Sequence, residues 1–288
     1  MVKVGQRIEV VDSPVQVVSI SSLKGGVGKT SVTTGLASAA LAAGIPTLVV
    51  DLDPHADAST ALGVAADGKA EVARMLKSPR RKPLSDNVVS SSWVRRAASL
   101  EGRGQRKLDV AFGGSLSSVY DRPDLGRRDL KRLSTVLEGL DGYELVLIDC
   151  PPSLNGLTRM AWGASNRVLL VAEPGLFSVA GTERTMRAIQ LFRQESATKL
   201  APAGIIANRV RPSSTEHAYR LEEMKQMFGP LLLTPSIPEL ANWQQIQGAA
   251  HAVHHWPGDA ARTTAALYDE LLDAVMKQNR EFRSRSAR

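Results

Sequence analysis

Residues Gly25-Gly26-Val27-Gly28-Lys29-Thr30 stand between an apolar run, Val15 to Ser21, and an alanine-rich stretch, Lys29 to Ala43. Glycines this dense interrupt both strand and helix, so the chain must turn sharply between the two. A buried strand entering such a turn and a helix leaving it give the context that a phosphate loop needs. Backbone amides can face an anion, the helix N-terminus adds positive potential, Lys29 neutralises β and γ charge, and the Thr30 hydroxyl ligates magnesium, with Ser31 next on the first helical turn. Against the standard G-x-x-x-x-G-K-[ST] pattern, Leu23 holds the first glycine position while Gly28, Lys29 and Thr30 hold the last three. The loop is a deviant one, and an additional lysine, Lys24, precedes it.

The rest of the chain repeats the alternation that this loop begins. Gly44 ends the first helical stretch, Pro46 to Asp51 forms a second apolar run, and Glu144 to Cys150, Arg167 to Ala172 and Pro202 to Asn208 follow. These runs are continuous rather than alternating, as in strands buried on both faces. Separated by helical segments, they predict an α/β fold: a single-domain P-loop NTPase over 1–288, its mainly parallel central sheet flanked by helices on both faces. The core is expected over about 15–276. Between Arg74 and Lys107 the character changes, with ten basic residues against two acidic ones, Asp86 and Glu101. Pro79, Pro83, Gly102 and Gly104 punctuate this segment and periodicity is weak, so 74–107 is expected to be a basic surface excursion. The basic tail 277–288 is expected to fray.

Charge narrows the partners. A formal net charge of +7 favours a polyanion, and an aromatic content of 5% leaves few rings to stack on bases, so any nucleic-acid contact is expected to be to phosphate. The single cysteine, Cys150, excludes an internal disulfide framework and a multi-cysteine metal or iron-sulfur site from one chain. No charged-then-apolar leader is present and stretches such as Val168 to Ala172 are too short to span a bilayer, which predicts a cytoplasmic protein without a membrane partner.

Three acidic or amide positions belong with the loop. In Val49-Val50-Asp51-Leu52-Asp53-Pro54 the two carboxylates alternate along an extended segment and face one way, toward a shared metal-and-water site. Leu145-Val146-Leu147-Ile148-Asp149 is an apolar strand ending in an acid, the form of an element that holds magnesium through its water shell. The Asn208 amide offers a donor and an acceptor that match the N7 and N6 edge of adenine, and Arg211 stands where a guanine-specific N-K-x-D site would carry aspartate. ATP is therefore expected over GTP.

Lys24-Gly25-Gly26-Val27-Gly28-Lys29-Thr30 resembles the K-G-G-x-G-K-[ST] signature of the ParA/MinD family of deviant Walker ATPases, and Asp149-Cys150-Pro151-Pro152-Ser153-Leu154 resembles the D-x-P-P-S-L of its ParA branch. The likeness runs from about Val17 to about Ala274. It implies a homodimer that sandwiches two ATP molecules with Mg2+, Lys24 reaching the partner subunit's phosphates. It also implies that Asp53 positions the attacking water and contributes to the metal site beside Thr30 and Asp149, with Lys24, Lys29 and Asp53 catalytic. The nucleotide would be held by Lys24 to Ser31, Asn208, Arg209 and a base-covering loop at Ser236-Ile237-Pro238. By the same resemblance an ATP-bound dimer binds double-stranded DNA non-specifically on the nucleoid, through Arg184, Arg187, Arg193, Arg211 and Arg220, and a ParB-like partner stimulates weak hydrolysis. Two departures stand out: His55 replaces the usual glutamine after Asp53-Pro54, and Glu239-Leu240 follow Pro238 where partitioning relatives carry an arginine. A MinD-like membrane regulator would need an amphipathic C-terminal stripe that Met276 to Arg288 lack. A non-hydrolysing, ATP-dependent DNA-binding switch fits the same motifs.

Overall fold

The computed structural model describes residues 15–64, 71–80, 84–101, 106–196 and 200–286. Strand β1 (Gln16–Ser21) passes through the glycine loop into helix α1 (Lys29–Ala42), and β2 (Thr47–Asp51) follows. Next come α2 (Asp57–Ala61), α3 (Val72–Lys77), β3 (Val89–Ser90), α4 (Ser92–Glu101), β4 (Leu108–Ala111), α5 (Arg127–Leu130) and α6 (Arg132–Leu137). The chain continues through β5 (Leu145–Asp149), α7 (Gly156–Ala164), β6 (Arg167–Ala172), α8 (Leu176–Ser196), β7 (Ala201–Ala207), α9 (Thr215–Phe228), α10 (Trp243–Gly248) and α11 (Asp259–Ser286).

All seven strands form one sheet in the order β3-β4-β2-β5-β1-β6-β7, parallel throughout except where the two-residue β3 pairs antiparallel with β4 at the edge. The continuous apolar runs have a simple cause. Along β5, Leu145 and Leu147 join the core under α1 and α11, while Val146 and Ile148 join the core under α3, α6 and α7. Along β6, Leu169 and Val171 face the first layer, and Val168 and Leu170 pack with Ile189 of α8 and Met224 of α9. Both of these strands thus bury both rows of side chains, which is what covering helices on both faces require.

The segment 74–107 departs from its expected character. Met75, Leu76, Leu84, Trp93 and Ala97 are buried, and the segment leads directly into β4, which pairs with β2 inside the sheet. Rather than a surface excursion, its described part is an edge of the core. The apolar residues of α3 and α4 recur at helical spacing, but they are few and the intervening arginines point to solvent, so a basic composition masks a buried stripe. Arg81, Lys82, Pro83, Gly102, Arg103 and Gly104 lie outside the described residues. Of the basic tail 277–288, the residues through Ser286 continue α11.

Candidate nucleotide-binding site

The parallel strands deliver their carboxyl ends to one edge, where Asp51 of β2 pairs directly with Asp149 of β5, itself in register with Ile20 beside the phosphate loop. Helix α1 begins at Lys29, so its first amides and the loop face the same edge. Gly26 and Gly28 take φ of 75° and 90°. At Gly28 a second constraint applies: an added Cβ would stand 2.3 Å from Nδ2 of Asn208. That amide donates to the Val27 carbonyl at 2.8 Å, tying the end of β7 to the loop.

Lys29 is buried at the base of the loop. Thr30 and Thr33, one turn apart on α1, donate to opposite oxygens of the Asp149 carboxylate at 2.8 and 2.7 Å. Thr33 was not singled out from the sequence, although its i+3 spacing from Thr30 carried the signal. Asp51 is fully buried, accepting from Asp53 N at 3.1 Å and from the Ser59 amide and hydroxyl at 2.8 and 2.7 Å. Ser59 Oγ also accepts from Gly113 N at 3.0 Å, and a Cβ on Gly113 would stand 2.7 Å from the Asp51 carboxyl carbon. Burial, with the neighbouring Asp149 second, pushes Asp51 up to about 8. Asp149 is also raised, chiefly by burial, against the lowering effect of Thr33, Thr30 and Lys29. Burial likewise pushes the Cys150 thiol up to about 12, consistent with a packed, unreactive cysteine.

Asp53 presents Oδ1 to both the backbone N and ring Nδ1 of His55, at 3.0 and 2.9 Å. Hydrogen bonding to Asp53 raises the His55 pKa above its ordinary value. Lys24 lies half exposed, 3.5 Å from Oε2 of Glu173 at the end of β6. Glu173 Oε1 stands 3.7 Å from Arg211, whose Nε is 3.0 Å from Glu239, and Glu239 pairs at 2.9 Å with Arg209. Arg209 closes the circuit on the Gly26 carbonyl at 2.9 Å.

A cavity of about 360 Å³ opens beside Gly26, Gly28 and Ser31, with Asn208, Arg209 and Pro238 in its lining. Trp243 and Tyr268 also line it, and neither carried a motif by which the sequence could reveal it. Among the described residues no three His, Cys, Asp or Glu side chains gather as a cation cage. The expected DNA arginines lie apart from this cavity, except Arg211 at its charged rim. Arg184 and Arg193 are exposed without an ion-pair partner among the described residues, whereas Arg187 meets Glu183 and Arg220 is held by Glu216 and Glu223.

A strand, glycine loop and helix, with a threonine bonded to a strand-end aspartate at the edge of a parallel sheet, define a P-loop nucleoside triphosphatase. An AAA domain family matches residues 15–201. The chromosome partitioning protein ParA of Caulobacter vibrioides (strain NA1000 / CB15N) is 30% identical over 233 residues, covering 78% of this chain and 81% of that one. The chain belongs to the ParA family of ATPases.

Solved structures agree on the fold. An ATP complex of a McdA variant from Cyanothece aligns with a TM-score of 0.75 at 20% identity, over 92% of this chain and 97% of that one. Cobyrinic acid a,c-diamide synthase from Mycobacterium smegmatis, with ADP and magnesium, aligns at 0.72 and 21% identity over 93% and 96%. Such different names on one fold mean that function must be argued from the site. No described helix is long and apolar enough to cross a membrane.

Proposed function

We propose that this chain is a partitioning or positioning ATPase that closes into a sandwich dimer on ATP and Mg2+, binds DNA through phosphate contacts, and is discharged by a stimulating partner protein. The carrying observation is the convergence of Lys24, Lys29, Thr30, Asp53 and Asp149 on one sheet edge beside a cavity of nucleoside scale. In this reading Lys29 neutralises the β and γ phosphates and the amides of Gly25 to Ser31 cradle them. Thr30 and Asp149 are placed to hold Mg2+, which needs few protein ligands because phosphate oxygens and water complete its shell; bound there, it would supply charge neutralisation at the phosphates. Asp53, already oriented by His55, positions the water. Lys24 leaves Glu173 to reach the partner subunit's phosphates, which makes dimerisation depend on the γ-phosphate. The name of the Caulobacter relative supports the partitioning role.

Light scattering without nucleotide, with ADP and with ATP, each with and without duplex DNA, tests the reading. ATP alone should double the mass of the parent protein, and Lys24→Ala should bind nucleotide yet stay monomeric. DNA affinity of the dimer should fall steeply with salt, losing about one unit of salt slope for each of Arg184, Arg187, Arg193, Arg211 or Arg220 removed. A Lys24→Ala protein that dimerises and turns over like the parent would remove the sandwich.

A further inference from the structure

The cavity beside the phosphate loop has a wall that the nucleotide motifs leave unassigned. Trp243, at the start of α10, lines it and packs against Tyr268 of α11 with ring centroids 5.7 Å apart and planes inclined by 33°. Tyr268 is itself buried, donates from its hydroxyl to the Ser31 carbonyl at 3.3 Å, and packs so closely over α1 that a Cβ on Gly35 would stand 2.2 Å from its ring. The indole therefore rests on a ring fixed to the helix that begins at Lys29.

The opposite end of α10 is fixed as well. The Trp93 indole of α4 donates to the Ala250 carbonyl at 2.9 Å, and Arg96 donates to the Ala249 and Ala250 carbonyls at 3.3 and 2.7 Å. Indole Nε1 of Trp243 is buried with no hydrogen-bond partner. That nitrogen is closed to the cavity, so what the residue can offer a ligand is its ring. The Asn208 side chain and Pro238 line the same cavity. It thus brings together an amide and an aromatic side chain, the two elements by which proteins hold a purine.

We propose that Trp243 is a base-binding residue of the nucleotide site, packing its indole against the purine of the bound nucleoside triphosphate while Asn208 meets the base edge. This rests on the ATP-binding reading above and adds to it a residue that acts on the base and not on the phosphates. The nucleoside should then contribute affinity through Trp243, and a ligand made only of phosphate should be indifferent to it.

Calorimetry with ATP and with inorganic tripolyphosphate, on the parent, Trp243→Phe and Trp243→Ala, separates these terms. Trp243→Ala should weaken ATP roughly 10-fold, the scale of base-aromatic stacking, and leave tripolyphosphate within about twofold. Trp243→Phe should keep ATP within about threefold of the parent. Should Trp243→Ala not fold, tryptophan emission decides: ATP should change the emission of the parent, tripolyphosphate should not, and the ATP response should vanish in Trp243→Phe. Unchanged ATP affinity in Trp243→Ala, equal losses for ATP and tripolyphosphate, or an ATP emission response retained in Trp243→Phe would each overturn the assignment while the ATP reading stands. A parent protein that binds neither ligand would overturn both.

Discussion

Substituting Gly28 by alanine tests how the phosphate loop and the end of β7 are built around each other. The residue sits at φ 90°, where a side chain costs about 1–2 kcal/mol, and the new Cβ would meet Asn208 Nδ2 at 2.3 Å. Asn208 is buried at the end of β7 and cannot yield without giving up its 2.8 Å bond to the Val27 carbonyl, a loss of about 1–2 kcal/mol. Gly28→Ala should therefore destabilise by roughly 2–4 kcal/mol in urea unfolding, within the stability of an ordinary domain. Asn208→Ala alone should cost about 1–2 kcal/mol. In the double variant the clash is gone and the bond is lost only once, so the combined cost should fall short of the sum by about 1–2 kcal/mol. Strict additivity, within about 0.5 kcal/mol, would refute the reasoning, because it would mean that the loop and the amide do not share a space.

Asp53→Ala should bind ATP and accumulate as a dimer while its melting temperature stays near that of the parent, checked by size exclusion with ATP and magnesium; a monomer free of nucleotide would make Asp53 structural. Gly113→Ala should destabilise by roughly 1–3 kcal/mol, because its Cβ intrudes on the Asp51 carboxylate that Ser59 and Asp53 N hold, and melting within a degree of the parent would contradict that crowding. For the nucleotide-free protein, Asp51, raised to about 8, and the raised Asp149 and His55 keep protons on the folded chain that the unfolded chain has released. Stability should then fall as pH rises from about 4 to about 8, and a melting temperature that climbs across that window would reverse the sign.

The glycine-loop motif was legible because its chemistry dictates residue type and spacing together. Gly28 must take a positive φ, Lys29 must carry charge, and Thr30 must reach Asp149, so each leaves a mark in the one-dimensional pattern. Strands β1, β2, β5, β6 and β7 were legible to within a residue or so because burial on both faces demands unbroken apolar runs. Strand β4 was not, since Leu108-Asp109-Val110-Ala111 is short and Asp109 interrupts it, its carboxylate accepting from Tyr143 at 2.7 Å instead of facing solvent. The wall made by Trp243 and Tyr268 was invisible for another reason. Two rings separated by α10 and the first turns of α11 meet only after the chain has folded, and a π surface imposes no local spacing.

The exposed charges around the cavity mouth bear on how such a site can switch. Lys24, Glu173, Arg211, Glu239 and Arg209 pair in sequence and return to the Gly26 carbonyl, so the lysine and one of the arginines that the proposed function needs elsewhere are engaged within a single subunit. Half-exposed pairs of this kind contribute only about 0–1 kcal/mol each, because water already screens them. A γ-phosphate with multiple negative charge in a closed, dry interface offers a cation far more than that. In the proposed dimer, pairing this weak would yield to the partner subunit's phosphates. Once Lys24 departs, Glu173 retains Arg211 alone, and a duplex competing for Arg211 must also outbid Glu239. Of the expected DNA arginines, Arg184 and Arg193 have no such competitor among the described residues, so removing either should lower DNA affinity at least as much as removing Arg211 in the same salt series.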